Sequence, residues 1–169
     1  MIMIKISLFL LTVFTVRYIF ILINNIGDKK IIKMKELIEF TEYLRIYSCD
    51  LKMSFEEILD KFNFKSKVVK IICYRLLEEM KKQENKSKKN FLTFVENSTT
   101  TPMEFNYYFA EIIDYYGNTF SDILDKKLSI ASREMEIIMK EYESIHKEKK
   151  NLYNKISILV GCLTAIILV

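Results

Sequence analysis

Ser121-Asp-Ile-Leu-Asp-Lys-Lys-Leu-Ser-Ile-Ala-Ser-Arg-Glu-Met-Glu-Ile-Ile-Met-Lys-Glu-Tyr-Glu-Ser-Ile-His-Lys-Glu-Lys-Lys-Asn-Leu-Tyr-Asn-Lys-Ile-Ser-Ile-Leu-Val-Gly161 is the stretch that decides the fold. Taking steps of three and four from Leu124 gives Leu128, Ala131, Met135, Ile138, Tyr142, Ile145, Lys149, Leu152, Ile156 and Leu159, with Lys149 alone not apolar. This spacing draws one stripe along a helix and calls for a partner helix along its length. After Lys155 the character changes, because Ile156 to Val169 is apolar on every side. A helix of that kind wants lipid or a fully buried core. The expectation is a single helix, on the order of 70 Å long at the usual rise per residue, that begins in water and ends in a membrane.

The composition agrees with a helical chain. Half of the 169 residues are hydrophobic and 28% are charged, against three glycines, one proline and no tryptophan. So few turn formers favour long helices over a many-stranded sheet. The net charge of +4 does not point to nucleic acid. All 22 acids and 24 of the 26 bases lie between Asp28 and Lys155, where the signs alternate as on a solvated helix surface. Cys49, Cys73 and Cys162 share no metal spacing and have no histidine near them in sequence, which fits free thiols in a reducing compartment.

A second apolar segment lies at the start. Ile2 to Ile26 is interrupted by Lys5 and Arg17, and no small-residue cleavage site follows it. The segment therefore reads as an uncleaved anchor rather than a signal peptide, with Arg17 reaching toward the lysine-rich side. Lysines 29, 30, 33 and 35 follow this segment, and lysines 147, 149, 150 and 155 precede the terminal one. The positive-inside rule places everything between them in the cytoplasm. The expected organisation is an N-terminal transmembrane anchor over 1–27, a cytoplasmic helical bundle over 28–151 and a C-terminal transmembrane segment over 152–169.

Between the spans the chain predicts a bundle of five to six helices. Leu37, Phe40, Leu44, Tyr47 and Leu51 put a seam on a helix over 30–51, suited to lie against the one on the last helix. Ser54 and Glu57 form a capping box before a short helix, and 68–80 reads as a core-facing helix. The polar run 81–90 reads as a solvated loop, with Phe91 to Val95 a helical turn beyond it. Thr101-Pro102-Met103-Glu104 reads as an N-cap threonine, a first-turn proline and a capping glutamate. The helix it opens should run to Tyr116 and stop at Gly117, with Phe105, Tyr107, Tyr108, Phe109, Tyr115 and Tyr116 packing into the core.

No residue pattern points to catalysis. The phosphate-cradling, dinucleotide, zinc-protease and serine-hydrolase motifs are missing, and His146 lacks sequence neighbours fit for a metal or a triad. The chain reads as a non-enzyme without catalytic residues, cofactor or metal. One constellation in the terminal span stands out: Ser157, Gly161 and Ala165, four apart, make a face of small residues suited to docking on another transmembrane helix.

The layout resembles the stage III sporulation protein AB family over essentially the whole chain. Lys150-Asn-Leu-Tyr-Asn-Lys-Ile-Ser-Ile-Leu-Val-Gly161 is similar to that family's Lys/Asn-rich segment and glycine-containing span, with Gly161 at the second glycine and Ser157 in place of the first. Tyr116-Gly117 with Asp122, Lys35-Glu-Leu-Ile-Glu-Phe40 and Ile46-Tyr47 resemble further family stretches. Asp28-Lys29-Lys30 and Cys49-Asp50-Leu51 depart from the family's Arg-Pro and Thr-Pro-Leu. The resemblance implies a non-enzymatic platform in the transenvelope complex joining mother cell and forespore, with a soluble domain similar to F-type platform proteins of type II secretion. It implies partners in the other membrane proteins of the stage III sporulation operon, in a cytoplasmic secretion-type ATPase (the operon's AA protein) and in membrane lipid. The place implied is the mother-cell membrane facing the forespore. Two alternatives stand beside it: a membrane-tethered adaptor or sensor acting through coiled-coil pairing, and a secreted helical protein with a cleaved signal. The sequence leaves open whether the last helix's seam is filled by the same chain or by another.

Overall fold

A computed structural model describes residues 2–82, 88–115 and 121–168, and among these there are helices and no strand. The elements are α1 (Ile2–Arg45), a π-helical turn (Ile46–Asp50), α2 (Phe55–Lys61), α3 (Lys67–Lys81), α4 (Lys88–Thr99), α5 (Met103–Ala110), α6 (Ile112–Tyr115) and α7 (Ser121–Leu168). The chain divides into two compact units. One joins 1–29 with 142–169, and the other is 30–141.

In the larger unit the core is built from bulky side chains. Phe40 of α1 is fully buried and meets Phe55 and Phe62 edge-on, at 6.0 and 5.3 Å between ring centroids, with Phe64 at 5.8 Å. Also without solvent exposure are Met34, Leu37 and Leu44 of α1, Val69, Ile72 and Leu76 of α3, and Phe105 and Phe109 of α5. Removing a dozen such side chains from water is the main drive for this unit to fold.

The local signals act as their chemistry requires. Ser54 and Glu57 complete the capping box at α2: the Ser54 side chain accepts from the Glu57 N–H, and Glu57 accepts the Ser54 N–H at 2.9 Å. The Ser54 N–H and the Ser54 hydroxyl, which donates to the same oxygen at 2.9 Å, hold the Glu57 carboxyl below its usual range. The predicted helix over 68–80 is α3, opened by Ser66, whose hydroxyl accepts from Val69 N–H.

Four expectations are corrected. The anchor and the helix after it are one helix: nothing at Gly27-Asp28 breaks α1, which runs on to Arg45 before widening into the π-helical turn. The turn expected at Phe91 to Val95 is a three-turn helix, α4, starting within the expected loop at Lys88; residues 83–87 of that loop lie outside the described residues. At α5, Pro102 is the N-cap residue and no side chain caps it. Thr101 turns inward instead, with its hydroxyl 2.5 Å from Asn106 Oδ1 and 2.6 Å from Thr99 Oγ1 in a buried polar cluster. A buried hydroxyl must find such partners, and here that requirement overrides the cap. The helix also breaks at Glu111 between α5 and α6. Tyr116 and the Gly117 stop lie outside the described residues.

Candidate functional site

The smaller unit pairs the first part of α1 with the last part of α7, antiparallel. Three contacts fix its register. A Cβ added to Gly161 would lie 3.3 Å from Val13 Cα and 3.5 Å from the Val13 carbonyl oxygen, so the two backbones approach closely there. Phe20 and Tyr153 meet edge-on at 5.7 Å. At Gly27 a Cβ would overlap the His146 ring, so only glycine leaves room for it.

The three small residues singled out in the sequence stand together on the contact face. Ser157, Gly161 and Ala165 are buried, and Ser157 turns its hydroxyl back to the Asn154 carbonyl at 2.9 Å. Small residues allow backbones to meet where a larger side chain would hold them apart. The partner helix is α1 of the same chain.

Beside Gly27 the pair is closed by charge. Asp28 accepts from Lys150 Nζ at 2.7 Å through one carboxylate oxygen, and His146 Nε2 lies 3.0 Å from the other. Lys150 chiefly, with His146 behind it, holds the Asp28 carboxyl below its usual range despite partial burial. Since an ionised carboxylate only accepts, its bond to His146 places a proton on Nε2. The His146 ring in turn lies nearly parallel to Tyr142, 8° between planes at 6.3 Å. An aspartate holding a histidine is two-thirds of a nucleophilic triad. Gly27 and Tyr142 also lie against the ring, which suits it to fixing register. Among the described residues no group of three or more acidic, histidine or cysteine side chains is placed to hold a metal.

The seam residues separate along α7. Leu124, Leu128 and Met135 are buried, Ile138 and Tyr142 are half-buried, and Ile145 is 44% exposed. On α1, Leu37, Phe40 and Leu44 are fully buried; Tyr47, in the π-helical turn, is half-buried and stacked on Tyr43 at 4.0 Å. In the larger unit Arg45 ties α1 to Asp125 of α7 at 2.8 Å, and α7's seam there is filled within the chain. Ile145 fails as a seam residue because the inward face steps by 3.6 residues rather than 3.5. The less exposed positions run 124, 128, 131, 135, 139, 142, 146, 150, 153, 157, 161 and 165. A strict seven-residue repeat departs from an ideal helix by about 20° per heptad, so beyond Tyr142, which both spacings share, the true face lies one residue further along. The shift replaces Ile145 and Lys149 by His146 and Lys150, both of which meet Asp28.

The sequence reading missed Asp28, Lys150 and Gly27. It also missed Glu36, buried on α1, whose carboxylate accepts the Lys65 N–H at 2.6 Å and the Ser66 N–H at 3.0 Å. A signal for the first group existed: re-reading α7 at 3.6 residues per turn brings His146 and Lys150 onto the face that continues into Ser157, Gly161 and Ala165. Nothing local marks Glu36.

One helix among the described residues is long and apolar enough to cross a membrane: the helix starting at Met3, whose most apolar window is not buried within the structure. Comparison with protein-family models, curated proteins and solved structures returns no match.

Proposed function

We propose that the protein is a non-enzymatic, membrane-held platform, with the unit over 30–141 presented to the cytoplasm as a docking body. The observation that carries this is the first part of α1, apolar and unburied, with α7 laid along it on small residues. A bare apolar helix in water would be a liability, whereas in lipid it is an anchor. The small face of α7 then does what such faces do in bilayers, giving close contact where hydrophobicity no longer drives association. On this reading α7 from 152 onward enters the bilayer beside α1 rather than standing there alone.

The resemblance to the stage III sporulation AB proteins supplies the setting: the mother-cell membrane, the operon's other membrane proteins and its secretion-type ATPase. Filling of α7's first seam within the chain favours this platform over an adaptor that pairs with a second copy. The test is deletion of the gene in its host, counting heat-resistant spores against viable cells. A collapse in spores with normal vegetative growth is expected. Normal spore counts in a strain without a second copy would overturn the sporulation role, and release from membranes at alkaline pH would overturn the anchor.

A further inference from the structure

Between α5 and α7, within the larger unit, runs a groove of about 550 Å³ lined by Met103, Tyr107, Tyr108, Ile137 and Ile138 with Glu104, Glu134 and Glu141. Met103 is 71% exposed and Ile137 is 52% exposed, so large apolar side chains face water here. The charges of the lining have one sign, three carboxylates and no base. Glu104 and Glu141 form no ion pair among the described residues; Glu134 meets only its exposed neighbour Arg133, at 3.3 Å. Lys88 lies over the Tyr107 ring at 4.6 Å and is committed to Asp114 at 3.0 Å.

We propose that this groove is the docking site for a basic amphipathic helix of a partner protein. The spacing specifies its pattern. Glu134, Ile137, Ile138 and Glu141 share one face of α7, with the two glutamates two turns, about 10 Å, apart and the isoleucines between them. The complementary helix carries an apolar pair bracketed by lysine or arginine two turns apart, its apolar stripe on Ile137 and Met103 and its cations on Glu134 and Glu141. Helix-in-groove recognition works in this way, apolar anchors giving affinity and flanking charge giving register. An anionic lipid surface is excluded as occupant by the sign of the lining. The inference goes beyond the platform reading and holds in whatever assembly the protein serves.

The experiment uses the full chain in nanodiscs of zwitterionic phosphatidylcholine. Two fluorescent helical peptides of about 15 residues share an apolar stripe at i, i+3, i+4 and i+7 and differ only in flanking lysines or glutamates. The lysine peptide should bind more tightly by about tenfold or more, and weaken as salt rises. Ile137→Ser should weaken it, and the double variant Glu134→Lys/Glu141→Lys should reverse the preference toward the glutamate peptide. That reversal also shows that the variant is folded. Equal binding of the two peptides, or a preference unmoved by the charge swap, overturns the proposal. A two-copy particle that Ile137→Ser returns to one copy also overturns it, by assigning the groove to a second copy of this chain.

Discussion

The two units bury helix surface by opposite means. In 30–141, α1 meets its neighbours through Phe40, Leu37, Leu44 and Met34, and aromatic rings from α1, α2 and the segment after it fill the space. In the unit formed by 1–29 and 142–169, the same helix meets α7 through glycine, serine and alanine, with Gly161 on Val13 and Gly27 under His146. Water rewards the size of an apolar side chain, because each added group leaves solvent. On the proposed membrane reading lipid does not, so contact there would come from shape and close approach. One helix thus carries two packing chemistries, and the change falls near Asp28, the first acid in the chain.

The largest effect should come from the bulky core. Phe40→Ala removes a ring with three aromatic neighbours and should destabilise the larger unit by about 3–5 kcal/mol, read as an earlier melting transition by near-ultraviolet circular dichroism. A loss below about 1 kcal/mol would mean that the ring cluster relaxes freely into the space left.

Next in size, and specific to the other unit, is Gly161→Leu. With the native cysteines replaced by alanine, a Phe20→Cys/Tyr153→Cys pair should form a disulfide in membranes. Adding Gly161→Leu should cut its yield about tenfold, as expected when a close backbone approach is blocked, while the melting of the larger unit stays put. An unchanged yield would show that small size at position 161 is not what sets the contact.

Asp28 gives a smaller effect with a defined sign. Its carboxyl is held below the usual value, chiefly by Lys150. Its contribution is therefore fully present above the unfolded value of about 3.9 and is lost as pH falls through the lower folded value. Asp28→Asn should remove that acid-side loss, and should lower the neutral-pH stability of the helix pair by less than about 1 kcal/mol, because the group is part-exposed. The distance between spin labels attached to the same cysteine pair, followed against pH, reads both. A steep acid limb retained in Asp28→Asn would place the titration elsewhere.

The smallest effect is local to the larger unit. Thr100 closes α4 at a φ of +56°, a left-handed conformation that a β-branched residue adopts only at a cost. Thr100→Gly should raise stability by about 0.5–1 kcal/mol, the relief of strain outweighing the entropy of glycine. A fall instead would show that the Thr100 hydroxyl, 2.6 Å from the Thr99 carbonyl, matters more than the strain.

The helices were legible where the signal was local. Ser54 with Glu57, the apolar period of α3 and the unbroken run into α7 all depend on residues a few positions apart. What the sequence hid came from tertiary demands. Thr101 looks like an N-cap until Asn106 and Thr99 compete for its hydroxyl. The seam on α7 looks like a heptad repeat because 3.5 and 3.6 residues per turn agree over the first three turns and part only near Ile138. Asp28 and His146 are 118 positions apart, and no spacing rule joins them. The small face at Ser157, Gly161 and Ala165 was visible as a face; its occupant, the chain's own first helix, was not.

Glu36 carries a consequence for how a distant stretch of the chain is held. The N–H groups of Lys65 and Ser66, at the threshold of α3, find their acceptor in a carboxylate almost thirty positions earlier. A part-buried N–H left without an acceptor costs free energy. α1 therefore serves as an anchor for the chain where it enters α3, while the Ser66 hydroxyl caps the helix itself. Glu36 thus fastens the approach to one helix onto the side of another.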